Sequence, residues 1–298
     1  MKYLQSILLY FVIAFSANAQ TAFSLQFKDL VVQKDTIAQF KLLQQWENAD
    51  LNDAELYTAW FNYYANKSMT AVLSLDKKQK GNESFAAKDA NDSNAFYINE
   101  NTNYDPKYIK SGFEYINKGI AKFPERLDMR FGKTYMLGKL EDFNNFTKEI
   151  VNAIEYGQKI NNKWTWTDSK PLDDPTQFML ASVQEYSVQL YNTNDDAQLP
   201  NMQKIAETVL KYYPDNIESL SNLSIVQMLN KEYDKAIVTL GKAEQINPKD
   251  YIVLNNLAQA YRSKGDTVNA LKYYELTAKY GDDDVKAYVK KQIEKLKN

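Results

Sequence analysis

The 298-residue chain contains no cysteine and no histidine. Without thiols it forms no disulfide, carries no thiol-linked lipid and runs no thiolate chemistry. Without imidazole, Ser–His–Asp and Cys–His catalytic sets and the usual zinc sites are excluded. Glycine (9) and proline (7) are scarce, and so few chain breakers suit a mostly helical protein. Basic charge is not in excess either. There are 36 Lys+Arg against 38 Asp+Glu, a net charge of −2, which argues against a nucleic-acid partner, since such a partner favours a basic stripe. Beyond the first residues no stretch approaches about 18 unbroken apolar residues, so no integral membrane segment is expected there.

The one long apolar run lies at the start. Lys2 supplies a positive charge, Leu4–Phe15 is mostly apolar but too short to span a bilayer, and Ala17–Ala19 has the small-x-small form read by signal peptidase. The expectation is a signal peptide over 1–19 and a mature chain over 20–298, exported to the periplasm or secreted.

The mature chain is repetitive. Leu220, Leu223, Ser224, Gln227, Ala236, Leu240, Ala243 and Pro248 are matched 34 residues later by Leu254, Leu257, Ala258, Tyr261, Ala270, Tyr274, Thr277 and Asp282. Small residues mark where two helices approach closely, and large ones fill the space between neighbouring helices. Pro248 cannot continue a helix and starts the next turn. "NKEYD" and "SKGDT" read as tight turns between paired helices.

Weaker copies lie upstream. Gly112, Ile116, Gly119 and Pro124 fit the slots of a second helix, followed by a first helix over Arg126–Lys139 and its partner over Glu141–Gly157. "DPTQFMLASVQEYSVQLYN", with Asp174 as cap and Pro175 in the first helical position, pairs with Lys204–Pro214. Asp53–Lys67 reads as a further first helix of ambiguous phase, preceded by a helix capped by Asp35. At the end, Asp282–Asp284 suit a helix N-terminus, and Val285, Tyr288, Val289, Ile293 and Leu296 form one apolar face of a capping helix over 283–298.

These residues resemble the tetratricopeptide repeat (TPR), whose pattern is W-x2-L-G-x2-Y, A-x3-F and P. The match is sharpest over 217–282, two repeats in phase, and the whole chain is similar to exported bacterial TPR proteins. The resemblance implies an all-α TPR-like solenoid of about five helix pairs plus a capping helix. It also implies a non-enzymatic scaffold that holds a protein or peptide partner in a concave groove lined by the first helix of each pair. By the family's register, positions 2, 5, 6, 9 and 12 of a repeat face that groove. Here they include Asn255, Asn256, Gln259 and Arg262, then Asn222 with Glu218, Ser221 and Ile225, and Arg126, Arg130 and Lys133 farther upstream. Asparagine and glutamine amides both donate and accept, as a peptide backbone requires.

Two insertions break the rhythm. In 74–103, "SFAAKD" and "AFYINE" flank the turn-formers "ANDSN", which predicts a small β-hairpin. Asp89–Glu100 also has calcium-loop spacing, although Asn94 stands where the turn glycine belongs. In 159–173, Trp164 and Trp166 alternate with polar residues, which predicts an extended segment with both indoles on one side. Packed against the protein's own helices, they are core. Left exposed, they are a glycan-stacking platform, the alternative to peptide binding.

Catalytic motifs are decoys. "FGKT" (131–134) lacks the leading glycine of a phosphate loop and falls in mid-helix, and Ser74-x-x-Lys77 lacks its companion motifs. The pairs Asp173/Asp174 and Asp195/Asp196 are expected as caps and solvated turns. No enzyme activity, cofactor or metal is expected.

Overall fold

The computed structural model describes residues 22–76, 84–88 and 95–297. The expected signal peptide lies outside them. Among the described residues the regular structure is helical apart from one small sheet. The described residues form two compact units: those from 22 to 136 with 165–170, and 137–164 with 171–297.

In the first unit, α1 (22–32) and α2 (Thr36–Ala49) precede α3 (Ala54–Ser68). The sheet follows, then α4 (Pro106–Lys122), and α5 (Leu127–Lys139) begins. Acidic residues start these helices. Asp35 accepts from the Ala38 amide at 2.9 Å, Asp53 from Glu55 at 2.9 Å and Asp105 from Lys107 at 2.8 Å, with Pro106 in the first position. Each satisfies a backbone donor that the helix leaves unpaired. The core is aromatic and aliphatic: Leu43, Trp46, Leu56, Trp60, Ile116 and Met129 are all buried. Gly119 of α4 allows close approach, because a β-carbon there would lie 2.8 Å from Tyr57 Cβ and 2.9 Å from Met129 Sδ.

The insertion is larger than the expected hairpin. β1 (Met69–Asp76), β2 (Ser84–Lys88) and β3 (Ala95–Tyr104) form a three-stranded antiparallel sheet in the order β1-β3-β2. "SFAAK" and "AFYINE" pair as expected, with Lys88 opposite Ala95. The additional strand starts at Met69, directly after α3, where the uncharged "MTAVLSL" pairs along β3 from Tyr104 to Ile98. Residues 89–94 of the calcium-like stretch lie outside the described residues. What flanks them is β2 and β3, where a calcium loop of that kind needs helices.

The second unit holds α6 (Phe143–Lys159), α7 (Pro175–Tyr191), α8 (Leu199–Tyr212), α9 (Ile217–Leu229), α10 (Tyr233–Ile246), α11 (Tyr251–Lys264), α12 (Thr267–Tyr280) and α13 (Asp283–Lys297). Asp174 and Pro175 open α7 as expected, the Gln177 amide donating to Asp174 at 3.0 Å. Consecutive helices from α7 to α13 pack on one another, and α7, α9 and α11 also touch in turn. Leu220, Leu240, Leu254, Leu257 and Tyr274 fill the core, while Ser224, Ala236, Ala243, Ala258 and Ala270 stand at 0% exposure where helices cross. In α13, Val289 is buried and packs on this core with Val285, Ile293 and Leu296, whereas Tyr288 points to solvent at 43% exposure.

The repeat is visible in the backbone. α11 and α12 start 34 residues after α9 and α10 (Ile217 to Tyr251, Tyr233 to Thr267). The turn within each pair is also the same. One residue with positive φ is followed by an acid that starts the next helix: Lys231 then Glu232, and Gly265 then Asp266. The acid's amide reaches back to close the turn, Glu232 to the Gln227 carbonyl at 2.7 Å and Asp266 to Tyr261 at 2.9 Å. The same closure recurs from Asp142 to Leu137 at 3.0 Å and from Asp35 to Leu30 at 3.1 Å.

Candidate functional site

α9 and α11 present their positions 2, 5, 6 and 9 along one face, as helical spacing requires. Since α7, α9 and α11 touch in turn, positions 2, 5, 6 and 9 of α9 and positions 2 and 6 of α11 form part of the wall of a cleft of about 240 Å³. Its lining includes Gln184, Val188 and Tyr191 of α7, Glu218, Ser221, Asn222 and Ile225 of α9, and Asp250, Ile252 and Asn256 at the start of α11. Asn222 donates to Gln184 Oε1 at 2.7 Å, which fixes the amide and leaves its carbonyl oxygen to accept. The Asn256 amide has no side-chain hydrogen bond among the described residues. Val188, Tyr191 and Ile252 supply apolar surface, being 43%, 50% and 54% exposed. Glu218 and Asp250 make the rim acidic. The cleft thus sets apolar surface beside hydrogen-bonding amides.

The structure therefore gathers part of the expected set. Asn222 and Asn256 line the cleft with Glu218, Ser221, Ile225 and Ile252. Asn255 and Gln259 lie on α11 outside its lining, and the Asn255 side-chain oxygen is buried with no hydrogen-bond partner. Arg262 is exposed and donates to Gln292 Oε1 of α13 at 2.8 Å, a contact with the capping helix. The α7 contribution is absent from the sequence reading because α7 runs 17 residues, against 13 and 14 for α9 and α11, so its phase cannot be transferred from the sharper repeats.

Arg126, Arg130 and Lys133 do not join this cleft; they belong to the first unit. Arg126 is 0% exposed. Its guanidinium forms an ion pair with Glu55 at 2.7 Å and grips Asp128 through Nε at 2.8 Å and Nη2 at 2.7 Å. Burial by itself would lower its pKa, but Asp128 and then Glu55 more than offset this, holding it above the ordinary value. Arg130, 7% exposed, donates to the Pro124 carbonyl at 3.2 and 3.1 Å. Both arginines thus hold the start of α5 in place, where the groove reading expected solvent-facing cations. Lys133 is half-buried on the same helix.

Of the tryptophan strip, Trp164 is internal and Trp166 partly so. Trp164 is 1% exposed and packs beside Tyr156, ring centroids 5.8 Å apart. Thr165 belongs to the first unit and pairs within it: its amide donates to the Glu125 carbonyl at 3.0 Å, and its carbonyl accepts from the Leu127 amide at 3.0 Å. Trp166 is half-buried, and its amide donates to the Lys170 carbonyl at 2.8 Å around a one-turn 3-10 helix, Thr167–Ser169. A sugar ring cannot stack on an indole with no exposed face, so Trp164 and Trp166 do not form the paired glycan platform. The acid pairs are helix starts: Asp174 caps α7, and Asp195 accepts from the Ala197 amide at 3.0 Å.

No protein-family model matches the chain, and no curated protein matches it. Among solved structures it is similar to YrrB, a TPR protein with an unusual peptide-binding site, at 10% identity over 84% of this chain and 97% of that one, with a TM-score of 0.42. It is also similar to TTC0263, a thermophilic TPR protein of Thermus thermophilus, at 15% identity over 61% and 89%, TM-score 0.38. A third is PilW, a type IV pilus biogenesis factor, at 9% identity over 91% and 98%, TM-score 0.41. The 34-residue offset of helix starts and the recurrent acid-closed turn are properties of this chain itself, and they make it a tetratricopeptide-like helical-repeat protein.

Proposed function

We propose that the protein is a non-enzymatic interaction scaffold that works outside the cytoplasm and holds an extended peptide segment of a partner in the α7–α9–α11 cleft. The observation that carries this reading is that Asn222 and Asn256, two amides at the same repeat position, line one cleft together with the exposed apolar Val188, Tyr191 and Ile252. Amides at a 34-residue repeat suit a peptide backbone, which presents alternating donors and acceptors. The acidic rim of Glu218 and Asp250 favours a segment whose charges are neutral or basic. Support for the setting is the signal-like start of the sequence, Lys2 to Ala19.

The test is peptide display on the immobilised full-length mature chain, followed by affinity measurement on an Asn222→Leu, Asn256→Leu double variant. The reading predicts neutral or basic peptides with a large apolar residue, bound at least about tenfold more weakly by the variant. Equal affinity would remove the cleft from the account. For export, the mass of the protein recovered from its own cells should correspond to a chain starting at Gln20; recovery of the full-length chain in the cytoplasm would contradict it.

A further inference from the structure

The first unit contains a second trough, between α1 and α3. Two adjoining cavities of about 380 and 360 Å³ share Ser24, Lys28 and Glu55 as lining. The floor of the larger one is apolar: Phe27 and Trp46 are buried at 6% and 1% exposure, with Val31 and Ala59 beside them. Counted from Ala54, the α3 residues lining it occupy positions 2, 5, 6, 9 and 13 (Glu55, Thr58, Ala59, Asn62, Asn66), the first four being positions that also line the second unit's cleft from α9.

Three observations define what this trough takes. Asn62 and Asn66 are exposed along one row of α3, and neither side-chain amide has a partner among the described residues. Four residues of helix rise about 6 Å, close to the roughly 6.6 Å spanned by two residues of an extended chain. The two amides therefore match alternate residues of an extended peptide, whereas an acyl chain has nothing for them to bond. The second observation is charge. The Glu55 carboxylate is engaged by Arg126 and by the Asp168 amide at 2.8 Å, and Asp168 is paired with Lys170 at 3.3 Å. Lys28 has no ion pair among the described residues and faces both cavities. It is the trough's unmatched charge. The third is continuity. The smaller cavity extends past Lys28 to Asp168 and Ser169, so a bound chain runs on beyond the cation and need not end there.

We propose that the α1–α3 trough is a second peptide site, selective for an extended segment in which a large apolar side chain lies over Phe27 and Trp46, the backbone meets Asn62 and Asn66, and an internal Asp or Glu pairs with Lys28. This rests on the reading of the chain as a peptide-binding scaffold, but it concerns a different unit and the opposite charge preference.

The test uses the full-length mature chain and fluorescein-labelled peptides blocked at both ends, carrying Leu-x-Glu, Leu-x-Gln or Leu-x-Lys. Anisotropy titration is expected to favour Leu-x-Glu. Lys28→Glu should weaken it about tenfold and reverse the order in favour of Leu-x-Lys. Asn62→Leu with Asn66→Leu should weaken all three, and Asn222→Leu with Asn256→Leu should leave Leu-x-Glu unchanged. These positions are exposed on α1 and α3, so the first two sets of variants fold. The proposal is overturned if Lys28→Glu binds as wild type does, if only peptides with a free C-terminal carboxylate bind, or if oleate rather than peptide binds in a Lys28-dependent way. Loss of binding only in the Asn222/Asn256 variant would overturn it while sustaining the second-unit cleft. Loss of Leu-x-Glu binding in the Lys28 and Asn62/Asn66 variants alone is the expected result and leaves the second-unit cleft to its own test, and no binding of any peptide would overturn both.

Discussion

Arg126 and Glu55 meet at 2.7 Å, with the arginine side chain wholly shielded from water and the glutamate only 12% exposed. Asp128 completes the cluster on the other edge of the guanidinium. Removing one partner of a buried pair leaves a charge without compensation, at a cost of about 3–5 kcal/mol. Arg126→Ala should lose about that much stability by urea denaturation, and Arg126→Lys should recover little, since an ammonium cannot reach two carboxylates in a planar fork. An unchanged midpoint for Arg126→Ala would show that the cluster is solvated.

Much of this fold was legible in the sequence, and where it was not, the reasons are physical. Helix starts were readable because Asp35, Asp53 and Asp174 are local signals satisfied within three residues. The 34-residue phase was readable where the helices keep 13 to 14 residues each, from Ile217 to Tyr280. Helix α1 was missed because 22–32 adjoins the apolar start and was not separated from it in the sequence. The two arginines were misplaced because position alone does not reveal pairing. Whether Arg126 faces solvent depends on Glu55, contributed by a distant helix. The Asn62–Asn66 row was missed because the phase of α3 is fixed by its start at Ala54, which the sequence left ambiguous.

Gly119 and Gly241 should respond in opposite directions to alanine. At Gly119 the new β-carbon meets Tyr57 Cβ at 2.8 Å, and overpacking of this kind costs about 1–3 kcal/mol. At Gly241, inside α10, nothing lies within 4 Å, and replacing a helical glycine gains about 0.5–1 kcal/mol. Thermal denaturation of the two single variants checks both signs.

The phenols make the protein sensitive to alkali. Burial first, then the charge of Glu244 and its 3.1 Å hydrogen bond, push Tyr273 up to about 12 from an ordinary 10.0. Burial likewise raises Tyr186, with Glu185 adding to it, and Tyr274, where Arg262 partly opposes it. A raised phenol binds its proton more tightly when folded. Its contribution is therefore complete below pH 10 and is lost as pH rises through 10 towards 12. Denaturation midpoints should be flat from pH 8 to 9.5 and fall above 10, less steeply for Tyr273→Phe. A flat profile to pH 12 would contradict the burial of these rings.

Trp164 should behave as core. Trp164→Ala is expected to cost about 3–5 kcal/mol, and oligosaccharides should leave the emission of the wild-type protein unchanged. Sugar-dependent quenching that disappears in Trp164→Phe would restore the glycan reading.

The central claim is that partners bind to the first helices of the repeat pairs. Ile252 of α11 and Val268 of α12 are both exposed apolar residues, at 54% and 79%, one on a first helix and the other on a second. A photo-cross-linking amino acid placed at each position, irradiated with a display-selected peptide, decides between the two faces. The account predicts cross-linked peptide at position 252 and none at 268; cross-linking at 268 but not at 252 would contradict it.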